Sequence, residues 1–108
     1  MAISMSENAI DWVLRELHRS QTEGIRFVVR YGDSQIHPGF SFAMAVAAPL
    51  DPAIHWVQQG ITFFVEHGDL WYIEGYDLHV HYDSTLDDLT FSFTPAIPLP
   101  SESLNKNR

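Results

Sequence analysis

The chain has 108 residues, enough for one domain with a core of its own and too few for two. It contains no cysteine, which excludes disulfides, thiolate nucleophiles and cysteine-held metal sites, and fits a reducing compartment. The formal net charge is −8, and no Lys or Arg stands between Tyr31 and Asn105, so no basic stripe for nucleic acid or for an anionic membrane can form over that span.

An apolar share of 45% lies in the globular range and argues against a disordered chain. The start, MAISMSENAIDW, has no basic stretch followed by an apolar run, so a secretory signal is not expected. The longest apolar stretch, Ala43–Ala48, is far short of the ~20 residues of a membrane helix. The expected location is cytoplasmic.

In chain order, Ser4-Met5-Ser6-Glu7 matches a capping box, with Ser4 and Glu7 satisfying free amides at a helix start. Ala9, Ile10, Val13, Leu14 and Leu17 then recur at helical spacing, predicting an amphipathic helix of about four turns. Gln21–Gly24 is its expected stop, with Gly24 suited to a left-handed turn. Ile25–Tyr31 alternates as a strand, with Ile25, Phe27, Val29 and Tyr31 on one side. Gly32–Gly39 is a loop by composition. Phe40–Val46 alternates again, and its small residues Ser41, Ala43 and Ala45 suggest close packing, with the helix as the natural neighbour.

Pro49 and Pro52 read as breaks, followed by a short strand at Ile54–Val57. Gln59-Gly60 turns into a strand at Ile61–Glu66, with Ile61, Phe63 and Val65 on one face. His67–Tyr72 reads as a helical turn with Glu66 and Asp69 as caps, Glu74-Gly75 as a corner, and Asp77–Tyr82 as a strand. Asp83–Asp88 is a polar loop, and Leu89–Phe93 a last strand. From Thr94 onward the prolines and the polar end predict an extended tail, dividing the chain into a domain at 1–93 and a Pro-rich tail at 94–108. Several short strands and one leading helix give a mainly β (α+β) domain of two packed layers.

The order of these elements resembles the HesB-like family, the A-type iron–sulfur cluster biogenesis proteins. The features are the leading helix, the strand IRFVVRYG entering a Gly loop, the strand GFSFAMAV, the GITFFVE strand, the turn into G-x-D-L-x-V-x-Y and the ending FSF, over residues 3–93. Within the family the chain is similar to a Gram-positive subgroup of small uncharacterised proteins. The implied fold is a compact β-sandwich or barrel-like structure with helices at one edge. The family's ligands are a Cys in the loop after the first long strand and a Cys-Gly-Cys near the C-terminus. Here those places hold Asp33, Ser34 and His37, and Thr94-Pro95-Ala96. Clusters are held by thiolates, so none carries over and no iron–sulfur cofactor is expected.

His79 and His81 project from one face of their strand, with Cα atoms about 6.6–6.8 Å apart, a span that one divalent metal can bridge. Asp77 and Asp83 continue that face, which is otherwise an ordinary polar outer surface. Ser, His and Asp all occur without a G-x-S-x-G frame, which leaves a small hydrolase as the least favoured reading. Trp71-Tyr72 are adjacent on the helical turn, so one packs inward while the other faces out. The sequence is therefore expected to be a non-enzymatic accessory or binding module related to iron–sulfur biogenesis. Its expected partners are proteins, of that assembly pathway or a second copy of itself. The alternative is a divalent-metal or iron binder using His79, His81 and nearby carboxylates.

Overall fold

The computed structural model describes residues 2–17, 23–33 and 36–96. A short strand, β1 (Ile3–Met5), leads into helix α1 (Glu7–Glu16), followed by β2 (Gly24–Tyr31), β3 (Phe40–Ala47), β4 (Pro52–Gln58) and β5 (Ile61–Glu66). A 3₁₀ turn at His67–Asp69 runs into α2 (Leu70–Ile73), and β6 (Tyr76–Asp83) and β7 (Asp88–Pro95) complete the order. Four strands form one sheet in the order β3-β2-β5-β4, and three form a second in the order β1-β6-β7. Each sheet has one parallel pair, β2 with β5 and β1 with β6.

Alternation places the core between the sheets. Register sets Ile25 beside Phe63, Phe27 beside Val65 and Val29 beside Phe42, so these side chains share one face. The second sheet answers with Leu78 and Val80, and α1 adds Ala9, Ile10 and Val13, all buried. Phe27 stands at the centre, its ring 5.8 Å from Phe42, 6.0 Å from Trp56, 6.1 Å from Phe91 and 6.3 Å from Phe63. Pairs of this kind add about 0.5–1.5 kcal/mol each beyond the area they bury. The result is the mainly β, two-layer domain with a leading helix that the element pattern predicts.

Several local readings are corrected. Ser4 and Glu7 do not form a capping box. Ile3 and Met5 alternate as a strand and pair with Leu78 and Val80, while Ser6 becomes the N-cap, its hydroxyl accepting the Ala9 amide at 3.2 Å. The helix is accordingly ten residues long rather than four turns. Gly24 opens β2 rather than ending a helix, and residues 18–22 lie outside the described chain. A Cβ at Gly24 would come 2.6 Å from the Thr62 carbonyl oxygen, so the glycine serves close strand approach.

Pro52 begins β4 instead of breaking the chain, with a bulge between Pro52 and Ile54, as proline tolerates at an edge strand. Ala43 and Ala45 lie on the side of β3 away from the core, and α1 packs instead on β6 and β7. Tyr31 passes beyond the core and is 90% exposed. Glu66 and Asp69 cap nothing: Glu66 accepts the Leu50 and Asp51 amides at 2.9 and 2.6 Å, and Asp69 pairs with Arg26 at 2.7 Å. β7 continues two residues past Phe93, and the Ala96 amide donates to the Gly75 carbonyl at 2.9 Å. The rest of the predicted tail, 97–108, lies outside the described residues.

Candidate functional site

The loop between β2 and β3 and the helix α2 meet at one end of the sandwich and build an aromatic surface. The loop is closed by the Gly32 amide donating to Gly39 and the Phe40 amide to His37, each at 3.1 Å. His37 donates through Nε2 to the Tyr72 carbonyl at 2.9 Å, and its ring lies 4.8 Å from Tyr72 and 5.1 Å from Trp71. Tyr72 points inward, stacked 5.0 Å from Phe42, with its hydroxyl donating to the Phe40 carbonyl at 3.3 Å. Its neighbour Trp71 faces out, 44% exposed, as adjacency on a helical turn requires. Phe40 bridges the surface, 5.7 Å from Trp71 on one side and 5.7 Å from Tyr31 on the other. The outcome is a row Tyr31–Phe40–Trp71, backed by His37 and Tyr72. Sequence reasoning singled out Trp71 and Tyr72, and named His37 only as a residue of the loop where the family resemblance places a cysteine. It did not bring His37, Phe40 or Tyr31 to them, because only the fold carries that loop to α2.

A second polar surface is the outer face of β6. Asp77, His79, His81 and Asp83 share it, as the alternation predicts. Much of its polarity is spent on structure. Asp77 accepts the Ala2 amide at 2.8 Å, Ser4 and His79 Nδ1 share a hydrogen bond at 2.7 Å, and Asp83 accepts the Thr85 and Leu86 amides at 2.9 and 3.3 Å. The His79 and His81 rings lie side by side with centroids 6.3 Å apart. Among the described residues no group of three or more His, Cys, Asp or Glu gathers at metal-binding distance. His37 and His67, the latter 3.3 Å from Asp51, are engaged elsewhere. Ser4 and His79 thus form a hydroxyl–imidazole contact on an exposed face.

The turn before β7 holds a third cluster. Asp87, at φ +52°, offers its carbonyl to Trp12 Nε1 at 3.0 Å and its carboxylate to Arg15 and the Tyr82 hydroxyl, each at 2.7 Å. The hydrogen bond to Asp87 raises the Tyr82 pKa. Arg15 is raised as well, first by its bond to Glu16. These groups tie α1 to the β6–β7 hairpin.

Relatives make the family clear. The chain is 37% identical over 94 residues to the pyruvate dehydrogenase inhibitor of Bacillus subtilis, covering 86% of this chain and 99% of that one. It belongs to that protein's family. Uncharacterised proteins of Staphylococcus saprophyticus and Staphylococcus aureus join it at 30% and 31% identity, each over 85% of this chain and 98% of its own. No protein-family model matches the chain. Among solved structures, Escherichia coli SufA, which is involved in biosynthesis of iron–sulfur clusters, superposes with a TM-score of 0.56 at 14% identity, covering 88% of this chain and 86% of SufA. The HesB-like resemblance thus holds at the level of fold.

Proposed function

We propose that this protein is a non-catalytic binding module that inhibits a pyruvate dehydrogenase by docking onto it. The observation that carries the reading is its membership in the family of the Bacillus inhibitor, over nearly the whole of both chains. In this reading the docking surface is the row Tyr31–Phe40–Trp71. Aromatic side chains already held in place lose little entropy on binding, which is why they anchor protein interfaces. The net charge of −8 favours a basic surface on the target. No cofactor enters the reading, and the protein works in the cytoplasm beside its target.

Purified protein added to the pyruvate dehydrogenase complex of the same organism should lower the rate of acetyl-CoA formation in proportion to its concentration. Replacing Tyr31→Ala and Trp71→Ala together should raise the concentration needed by about 30-fold, the effect of losing one hot spot of about 2 kcal/mol. Full enzyme activity in a large excess of the protein, with no co-elution on gel filtration, would sink the reading.

A second reading takes its support from the fold shared with SufA: an accessory role in iron–sulfur assembly exercised through protein contact. A native pull-down that recovers assembly proteins and leaves pyruvate dehydrogenase behind is its expected outcome. The metal-binding reading rests on the paired His79 and His81 rings. Stoichiometric zinc binding in calorimetry, lost in a His79→Ala, His81→Ala variant, is the result it requires.

A further inference from the structure

Away from the aromatic end, no described residue covers one flank of the sandwich. Among the described residues β3 and β7 are the outer strands of their sheets, each with one hydrogen-bonded neighbour and no strand on its other edge. Between them lies a cleft of about 290 Å³. Phe42 and Met44 line it from β3, Leu89 and Phe91 from β7, with Trp12 of α1 at one end and Asp88 at the rim. This is near the low end of ligand-pocket volumes, about 300–1,000 Å³, and suits one or two apolar side chains better than a cofactor.

The two edges differ from the others in the molecule. Natural sheets guard long edges with charge, proline or bulges. β4 has Pro52 and a bulge, and β1 is three residues long. β7 runs in unbroken register from Asp88 to Pro95, and the stretch Leu89–Thr94 bears no charge and no proline. An unguarded edge beside an apolar cleft is the arrangement that takes up an added strand: main-chain bonds supply affinity, and alternate side chains fill the pocket. The charge at the rim decides the occupant's chemistry. Asp88 is exposed there, and the nearest cation among the described residues, Arg15, is taken up by Asp87 and Glu16, so no ion pair of the described residues reaches Asp88.

We infer that this cleft binds an extended segment of a partner protein, added as a strand along β7, with alternate apolar side chains in the cleft and a Lys or Arg over Asp88. The inference is independent of which enzyme is inhibited and of the aromatic end.

The test is a titration of the full chain with two synthetic peptides of alternating Val and Thr, one flanked by Lys and one by Glu, followed by ¹⁵N–¹H NMR. The Lys peptide should shift the β3 and β7 amides and slow solvent exchange along β7 by tenfold or more. The Glu peptide should bind several-fold more weakly, and Asp88→Lys, a surface change, should reverse the preference. Shifts confined to the Tyr31–Trp71 end, equal binding of both peptides, or no shift at millimolar peptide would overturn the inference. So would concentration-dependent β7 shifts without peptide, which would make a second copy of this chain the occupant. Inhibition of the dehydrogenase is measured separately, so either proposal can fail alone.

Discussion

Ser4 and Ser6 stand two positions apart and have separate tasks. Ser6 caps α1, and Ser6→Ala should cost about 1 kcal/mol in urea unfolding. Ser4 is no cap; its bond to His79 joins β1 to β6 on an exposed face, and Ser4→Ala should cost less than Ser6→Ala in the same experiment. If the two costs are reversed, the cap is misplaced. Tyr82 provides a test with pH. Its pKa lies above the ordinary 10.0 because its hydroxyl donates to Asp87, so folding favours the protonated form. The stability it contributes is fully present below pH 10.0 and is lost as the pH rises through the higher folded value. Between pH 9 and 11, Tyr82→Phe should therefore lose less stability than the wild type in denaturant titrations. Equal losses would mean that the Asp87 bond contributes nothing to folding.

Among the elements, β5 is the one the core depends on most. Phe63 is fully buried on it and touches Phe27 and Trp56, so Phe63→Ala should cost about 3–5 kcal/mol and lower the melting temperature sharply. A melt close to wild type would remove Phe63 from the core. Gly24→Ala should destabilise by about 1–3 kcal/mol, because the added methyl meets the Thr62 carbonyl and lies 3.2 Å from the Phe64 ring. Strands with sustained alternation, such as Phe40–Ala47 and Tyr76–Asp83, were legible in the sequence because period two is a local property. β1 was not, since three residues carry too little pattern and a Ser-x-x-Glu spacing overlies them. Its existence is settled by β6, whose edge supplies the partner for Ile3 and Met5. The opposite orientations of Trp71 and Tyr72 followed from adjacency on one turn. The placing of His37 and Phe40 against them required tertiary structure, because 31 residues or more separate the two segments.

For the molecule as a whole, charge is the clearest sequence-level property. The net charge of −8 keeps copies apart, and acidification toward the sequence isoelectric point of about 4.9 removes it. Turbidity at fixed concentration should therefore rise as the pH falls from 7.5 to 5.5, and a solution equally clear across that range would refute the expectation. The location of a binding surface was less legible, because it arises where separate segments converge. The parallel pairing of Ile3 with Leu78 has a last consequence, for the order in which the chain can fold. A chain leaving the ribosome holds its first strand ready long before the strand that must receive it exists. The smaller sheet can assemble only once that later portion has emerged, so closure of the sandwich is a late event that couples the two ends of the domain. Such distant pairing slows folding relative to neighbouring hairpins, and any shortening that removes Ala2–Met5 would strip the receiving strand of a partner at the final step.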